Sequence, residues 1–438
     1  MEWYRKKQGI RIASLNINGR RDEKKRDKWP KLINLIRSKG IAILGLQESH
    51  LNDTETEKIS EKFGKVVIIN NGTSPSKEGI VFILNKQLVN GMKWKHTPII
   101  EGRASKLEIE TEKNRGINIV LIYAPNEMKD KLEFWKTLKE KLKEMGEMEN
   151  LVIMGDFNSV ENALDRYPHR EDEEAVKEAW KKIRNRFKMM DGWRVHNPVK
   201  KEYTYIQKGT KSMSRIDRIY MNSEIYLFGY NWTHVETVIS DHDMVIADIL
   251  KVKLPFIGKG VWRMYQDDIE NKITIKRITE LLKETEEKIS EIKEKKIDKS
   301  IQKLWAEVKD KIKIIAIEER KAETRQMNKE RNSLKKGIEK RLQKLADETN
   351  DLNQKYHDEI LEMKAKLSAR TKNNLTKMQL ATKARYRQSG EKCMKYWFRL
   401  NKERTEDNTL LALMDGENKL VKDTRKMGEI AVQYHEKL

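Results

Sequence analysis

Leu151-Val152-Ile153-Met154-Gly155-Asp156-Phe157-Asn158 passes from an apolar, partly β-branched run straight into a polar turn. The run suits a short strand buried on both faces, and Gly-Asp suits the turn that ends it. Other runs behave alike. Ile10–Ile17 ends in Asn16-Ile17-Asn18-Gly19, Ile41–Leu46 leads into Gln47-Glu48-Ser49-His50, and Ile117–Tyr123 leads into Tyr123-Ala124-Pro125-Asn126. A fifth cluster, Ser240-Asp241-His242, adjoins the strand-like run Asp243–Ile249, and Ser214-Arg215-Ile216-Asp217-Arg218 lies between the last two. A strand end sets its side chains at one rim of a sheet, where loops build sites. Asn, Glu, Asp and His can therefore gather on a single rim.

Outward from these clusters, Val66–Ile69 and Ile80–Leu84 are further candidate strands. Asp27–Lys39, Lys129–Met145 and Asp172–Lys188 have helical spacing, and Glu202–Gln207 with Ser214–Met221 reads as a hairpin-like pair. Strand clusters flanked by helices predict sheets packed under helical layers, an α/β fold.

The grammar changes near residue 255. All seven prolines lie between Pro30 and Pro255, and only six of the 21 glycines follow. Proline and glycine break helices and punctuate strands. Past this point Ile278, Leu281, Leu282, Leu304, Val308, Ile312, Leu334, Ile338 and Leu342 recur largely at three- and four-residue steps among Lys and Glu. That is an amphipathic, coiled-coil-prone helical pattern with drifting heptads.

The 438 residues suffice for two or three domains. A net charge of +22 favours a polyanionic partner, although charge runs are as often a solvated surface. The excess is denser in the second half, where residues 251–438 hold 46 Lys and Arg against 32 Asp and Glu. The lone Cys393 excludes a disulfide framework and a cysteine zinc module, and fits a reducing compartment. No apolar run approaches the roughly 20 residues that span a bilayer, and Met1–Lys7 has no apolar stretch behind it. A membrane partner and a secretory signal are not expected.

Singly, each polar cluster is weak. Asp156 could cap a turn, Asn158 could satisfy loop backbone, and His242 could be an ordinary core histidine. Together, and in this order, they resemble the endonuclease/exonuclease/phosphatase superfamily, which includes the endonucleases of non-LTR (LINE-type) retrotransposons. The resemblance covers about residues 9–252 and implies a four-layer α/β sandwich (DNase I-like), followed here by an all-α extension.

It also implies roles. Glu48 would bind Mg²⁺ (Mn²⁺ as a substitute), with Asp241, Asn18 and Asn16 completing or ordering the shell. Many relatives carry Asp at the position of Asn18. Asn158 would hold phosphate oxygens, Asp156 would orient or deprotonate the attacking water, and His242 paired with Asp217 would stand beside the phosphate. Tyr123 and Asn126 would meet the developing charge. Thr204 matches a phosphate-contacting threonine of the retroelement branch, and Arg215 and Lys211 would contact substrate. The chemistry is consistent with the residue types. Mg²⁺ prefers hard oxygen ligands, a carboxylate serves as base, and an Asp–His pair favours the imidazolium.

Tyr203-Thr204-Tyr205 before Ser214–Arg218 resembles the retroelement branch. So do Gly260-Val261-Trp262-Arg263-Met264, Gly390–Leu400 and Val432–Leu438, which resemble segments leading to its reverse transcriptase. No Tyr-x-Asp-Asp polymerase motif occurs. The expected organisation is a nuclease domain over 1–252, a linker over 253–265 and a basic helical region over 266–438. The expected partners are DNA and, through the helical half, RNA or single-stranded nucleic acid. The expected location is the nucleus of a eukaryotic host. Rival readings are an abasic-site repair endonuclease, a phosphatase- or sphingomyelinase-like enzyme, and a helical nucleic-acid-binding protein whose nuclease is dead.

Overall fold

The computed structural model describes residues 9–249 save 23, 25, 73, 75–77, 90–91, 111–115 and 208–211. Beyond these it describes 262, 264, 266–294, 300–345, 353–371, 413–416, 420–421 and 424–436.

Two six-stranded sheets face one another. The first is built from β1 (Ile10–Asn16), β2 (Ile43–Gln47), β3 (Val66–Asn71), β4 (Ile80–Asn85), β14 (Gly229–Val235) and β15 (Met244–Ile249), in the order β14-β15-β1-β2-β4-β3. The second holds β5 (Trp94–Ile100), β6 (Ala104–Ile109), β7 (Ile117–Tyr123), β8 (Leu151–Asp156), β10 (Met189–Asp191) and β13 (Asp217–Asn222), in the order β10-β13-β8-β7-β6-β5. A small third sheet joins β11 (Tyr205–Ile206), β12 (Met213–Ser214) and β9 (Arg166–Tyr167).

Alternation along each strand explains the layers. Ile10 and Ile12 of β1, Ile80, Phe82 and Leu84 of β4, and Ile119 and Leu121 of β7 meet in one core between the sheets. Their neighbours face outward. Ala13, Leu15, Val81 and Ile83 meet helix α1 (Trp29–Lys39) and Ile59 of α2 (Asp53–Lys62). Val120, Ile122 and Ile153 meet α3 (Met128–Glu144) and α4 (Glu174–Arg186). Three stacked apolar clusters make four layers, as expected. Strands buried on both faces are why the sequence shows continuous apolar runs.

Register delivers the rim. β1 runs parallel to β2, with Asn16 opposite Gln47, and β7 runs parallel to β8, with Tyr123 opposite Asp156. Antiparallel β13 sets Asp217 opposite Asp156. Gly155 has φ +149°, and a Cβ there would lie 2.0 Å from the Ile122 carbonyl oxygen. Only glycine lets β8 turn this close to β7.

Some expectations shift. The run Ser214–Met221 is not one strand. Ser214 belongs to the third sheet and Asp217 to the second, with the corner at Arg215 and Ile216. Strands β5, β6 and β14 and helix α2 carry no apolar run or stripe long enough to read. The second half is helical but not all-helical. Leu413–Met414 pairs with Leu420–Val421 beyond Asp415-Gly416, a turn dipeptide.

Two short helices, α5 (Gly192–His196) and α6 (Ser223–Tyr226), belong to the sandwich, and the second half holds α7 (Gln266–Glu270), α8 (Lys272–Lys293), α9 (Ile301–Lys344) and α10 (353–371). A last helix covers Thr424–Glu436. Of the 44 residues in α9, only Leu304, Val308, Ala316, Ile338 and Leu342 are buried. Each buried aliphatic side chain contributes about 1.5–3 kcal/mol. So few cannot offset the ordering of a helix this long alone, and α9 depends on what it packs against at each end. Over its first half that is α8, with Arg277 paired to Glu318 and Glu319.

Candidate functional site

The strand-end clusters converge. Asn16, at the end of β1, donates its amide both to Glu48 Oε1 (2.8 Å) and to Asp156 Oδ2 (3.0 Å), bridging the two sheets. The Tyr123 hydroxyl donates to the same Glu48 oxygen at 2.9 Å. The Arg103 guanidinium lies 4.6 Å from the centre of the Tyr123 ring and is held by Glu78 at 2.6 Å. Burial, then the Glu48 carboxylate, push the Tyr123 hydroxyl well above the usual phenol range. It is a standing proton donor.

Beside this lies a buried trio, Asp156, Asp217 and His242, whose polar atoms all fall within 4.8 Å of one another. His242 Nδ1 meets Asp217 Oδ2 at 2.9 Å. Burial lowers the His242 pKa, but Asp217, through charge and hydrogen bond, and then Asp156 raise it well above the usual histidine range. The imidazolium is therefore the resting form at neutral pH. Asp156 is shifted upward by burial first and by the Asp217 charge second, while His242 and the Asn16 amide act against this. A carboxylate with a raised pKa is a better proton acceptor.

Four non-glycine residues of the motifs hold a left-handed backbone: Asn18 (φ 50°), Glu48 (φ 50°), His50 (φ 48°) and Asn158 (φ 46°). Such conformations are uncommon outside glycine and persist only where surroundings over-determine them. Two buried lysines do so here. Lys28 Nζ donates to the carbonyls of Ile17 (2.7 Å) and Asn18 (2.8 Å), and Lys131 Nζ donates to that of Asn158 (2.6 Å). Burial lowers the pKa of both. Neither lysine was singled out from sequence. A signal existed, because each falls on the apolar stripe of its helix region, Lys28 before Leu32, Leu35 and Ile36, and Lys131 before Phe134, Trp135 and Leu138.

The other sequence-derived candidates are placed as follows. Asp241 is half-buried and receives the Asn18 amide at 3.1 Å. The Asn158 amide donates to the Ala124 carbonyl at 2.8 Å. Asn126 stands exposed past β7. Thr204 is buried, and its hydroxyl accepts the Ile216 and Asp217 N–H groups at 3.2 and 3.1 Å. It ties the Asp217 backbone in place. Arg215 is also buried, paired with Asp165 (2.7 Å) and Asp191 (2.8 Å) and lying over Trp193. Its charge is spent inside the domain. Lys211 lies outside the described residues, as does Gly390–Leu400.

For a hard cation the donor set is mixed but suitable on one side. Glu48 Oε1 takes both the Asn16 and Tyr123 donors, whereas no hydrogen bond among the described residues reaches Oε2. Asp241 receives the Asn18 amide, and Asn16, which accepts the Asn18 N–H, donates to Glu48, so a short chain of hydrogen bonds links the two carboxylates. Asn16 uses its oxygen to accept the Asn18 N–H at 2.9 Å and its nitrogen on the two carboxylates. It bridges the acidic groups. The oxygen-only pair Glu48 and Asp241 fits Mg²⁺. In the Asp–Asp–His trio, Nδ1 of His242 is already engaged with Asp217.

Residues 13–242 match the endonuclease/exonuclease/phosphatase family. The chain belongs to that family. An uncharacterized 149 kDa protein of transposon TX1 from Xenopus laevis is 28% identical to the chain over 240 residues. The match covers 54% of this chain and 18% of that protein, so the chain spans less than a fifth of this relative's length. Among solved structures, the AP endonuclease LMAP from Leishmania major is similar at a TM-score of 0.47 and 15% identity, covering 55% of this chain and 88% of that one. An AP endonuclease from Archaeoglobus fulgidus gives 0.44 and 18%, covering 55% and 99%. The APE2 catalytic domain of Xenopus laevis gives 0.44 and 18%, covering 57% and 94%. The endonuclease/exonuclease/phosphatase domain of this chain thus coincides with the sandwich whose rim carries Glu48, Asp156 and His242.

Proposed function

We propose that this chain is a Mg²⁺-dependent endonuclease that hydrolyses DNA phosphodiester bonds, nicking target DNA for a non-LTR retroelement. The observation that carries the reading is the amide of Asn16 joining Glu48 to Asp156 beside the Asp217–His242 pair. In this reading Glu48 and Asp241 hold the ion, Mn²⁺ being able to replace it, and Asn18 steadies Asp241. The bound ion would neutralise phosphoryl oxygens and the leaving alkoxide.

The chain's own groups do the rest. Asp156 takes the proton of the attacking water. The His242 imidazolium, fixed by Asp217, offsets charge on the phosphate. The Tyr123 hydroxyl and exposed Asn126 meet the leaving side, and Asn158 orders the loop of the base. Placement of Thr204 and Arg215 inside the domain favours a supporting role for both over direct contact with substrate. The nuclease unit takes 1–252 and the linker 253–265. The basic region 266–438, with its coiled-coil-prone helices, contacts RNA or single-stranded nucleic acid. A eukaryotic element of this kind would work in the nucleus.

The test is nicking of supercoiled plasmid with Mg²⁺, with and without EDTA, by the parent chain and by Glu48→Ala, Asp156→Ala and His242→Ala. Metal-dependent nicking by the parent and none by the variants is expected. Cleavage restricted to abasic duplex would instead make this a repair endonuclease, and nicking by Asp156→Ala at the parent rate would refute the mechanism.

A further inference from the structure

A fourth apolar cluster joins the two halves of the chain. Tyr167 of β9, Tyr203 just before β11 and Met213 of β12 are buried together with Ile338 and Leu342 near the end of α9, Leu345 just past it, and Ile360 and Leu367 of α10. The Tyr167 and His357 rings stack at 5.7 Å. Polar contacts ring this patch. Lys201 Nζ donates to the Leu345 carbonyl at 2.6 Å, and Lys200 pairs with Glu339 at 3.4 Å. Lys364 of the helices acts electrostatically on Glu236 and Asp243 of the sandwich, and Lys335 on Glu236.

The same small sheet reaches the reacting groups on its other side. The Tyr205 ring lies 4.5 Å from the His242 ring, and the two residues form a β-bridge. Asp243 N–H donates to the Thr204 carbonyl at 2.7 Å. β11 and β12 pair antiparallel as the arms of a hairpin, with Tyr205 opposite Ser214 and Ile206 opposite Met213. The carboxylates Glu48 and Asp156 hang from β2 and β8, outside this cluster. The helical pair therefore bears on the hairpin and on the His242 side of the site, and leaves the acidic side to other elements.

We propose that the α9–α10 pair is a specificity-determining brace: by fixing the β9-β12-β11 sheet it selects which DNA phosphodiester is presented to the Asp217–His242 pair. This rests on the nuclease reading above. Loosening the brace should move the hairpin relative to the acidic groups, so the choice of position changes more than the rate of cutting.

The experiment uses the full chain and a labelled DNA duplex, scoring total nicking and the map of nick positions. Ile360→Asp places a charge in the joint and should undock it, seen as faster hydrogen exchange over 203–214 with β1 and β8 unchanged. Relative use of individual positions is expected to change at least about threefold, with total nicking within about tenfold of the parent. A milder arm reverses one ion pair. Lys200→Glu and Glu339→Lys should each shift the map, and the double swap should return it toward the parent. An unchanged map despite faster exchange would overturn the proposal and leave the pair a structural buttress. So would a rise in total nicking with the map unchanged, which would make the pair a cover over the site. If Ile360→Asp fails to fold, the charge-swap arm decides alone. A parent that nicks nothing refutes the nuclease reading instead.

Discussion

The loops after β1 and β8 are built to one plan from different residues. In each, the last strand residue turns its side chain back to accept the N–H two residues on: Asn16 from Asn18, and Asp156 from Asn158, both at 2.9 Å. In each, that second residue is a left-handed asparagine whose carbonyl is taken by a buried lysine. The difference is one atom in kind. Asn16 ends in an amide nitrogen, which holds two carboxylates together, and Asp156 ends in an oxygen, which accepts. The lesson is that the backbone device is generic, and the identity of one side chain decides whether the loop assembles the site or reacts in it.

The largest test of that contrast is Asp156→Asn. It keeps the shape and one oxygen to accept the Asn158 N–H, but removes the charge and the second oxygen, which receives the Asn16 amide. Nicking should fall by about 10²–10⁴-fold, the usual worth of a positioned proton acceptor, and retained circular dichroism would separate this from unfolding. Near-parent nicking would mean that the turn, not the charge, matters at this loop.

Asn16→Asp makes the first loop resemble the second. It replaces a donor with a third carboxylate facing Glu48 and Asp156, and like charges so close cannot all ionise. Plasmid nicking is expected to drop by roughly 10²-fold, within the same range as loss of a general base. A drop under threefold would show that the bridge is dispensable.

The lysine straps come next. Lys28→Met and Lys131→Met strand carbonyls at about 1–3 kcal/mol each, but they also relieve the burial of an ammonium. These oppose one another, so the melting temperature should move by only a few degrees while nicking falls by roughly tenfold through lost positioning. Lys28 serves two carbonyls and Lys131 one, so the first variant should lose more. Equal losses of stability with unchanged nicking would make both lysines merely structural.

The smallest effect concerns pH. Asp156 works as a carboxylate and its pKa is raised, so activity should fall as pH falls at values above the ordinary carboxylate range. The Asn16 amide holds that pKa down. Asn16→Ala should therefore move the acid limb of the log kcat/KM profile to higher pH, and a limb that stays put or moves down would contradict the assigned hydrogen bond.

Much of this was readable in the sequence because strands buried on both faces leave continuous apolar runs, and because their ends carry the polar motifs. β1, β2, β7 and β8 belong to this class. β5 was not readable, since Trp94-Lys95-His96-Thr97-Pro98 is an edge with mostly part-exposed residues. β14 mixes polar and aromatic residues and is irregular between Tyr230 and Thr233. Motif residues were found by adjacency, which says nothing of direction. Thr204 and Arg215 sit in recognisable motifs yet point inward to tie down Asp217 and to pair with Asp165 and Asp191. The joint between the halves was hidden for the same reason. Ile338, Leu342 and Ile360 look like any helical stripe, and their partners Tyr167 and Met213 lie far away in sequence.

Among the described residues, the buried apolar contacts of the long helix α9 with the sandwich lie near its end, at Ile338 and Leu342, with Leu345 just past it. At 1.5 Å per residue, its start at Ile301 lies roughly 55 Å from that foothold. A rod held at one end is a lever. A modest sideways force applied at the α8 end arrives at the foothold as a large torque, and it arrives on the small sheet whose other face touches His242.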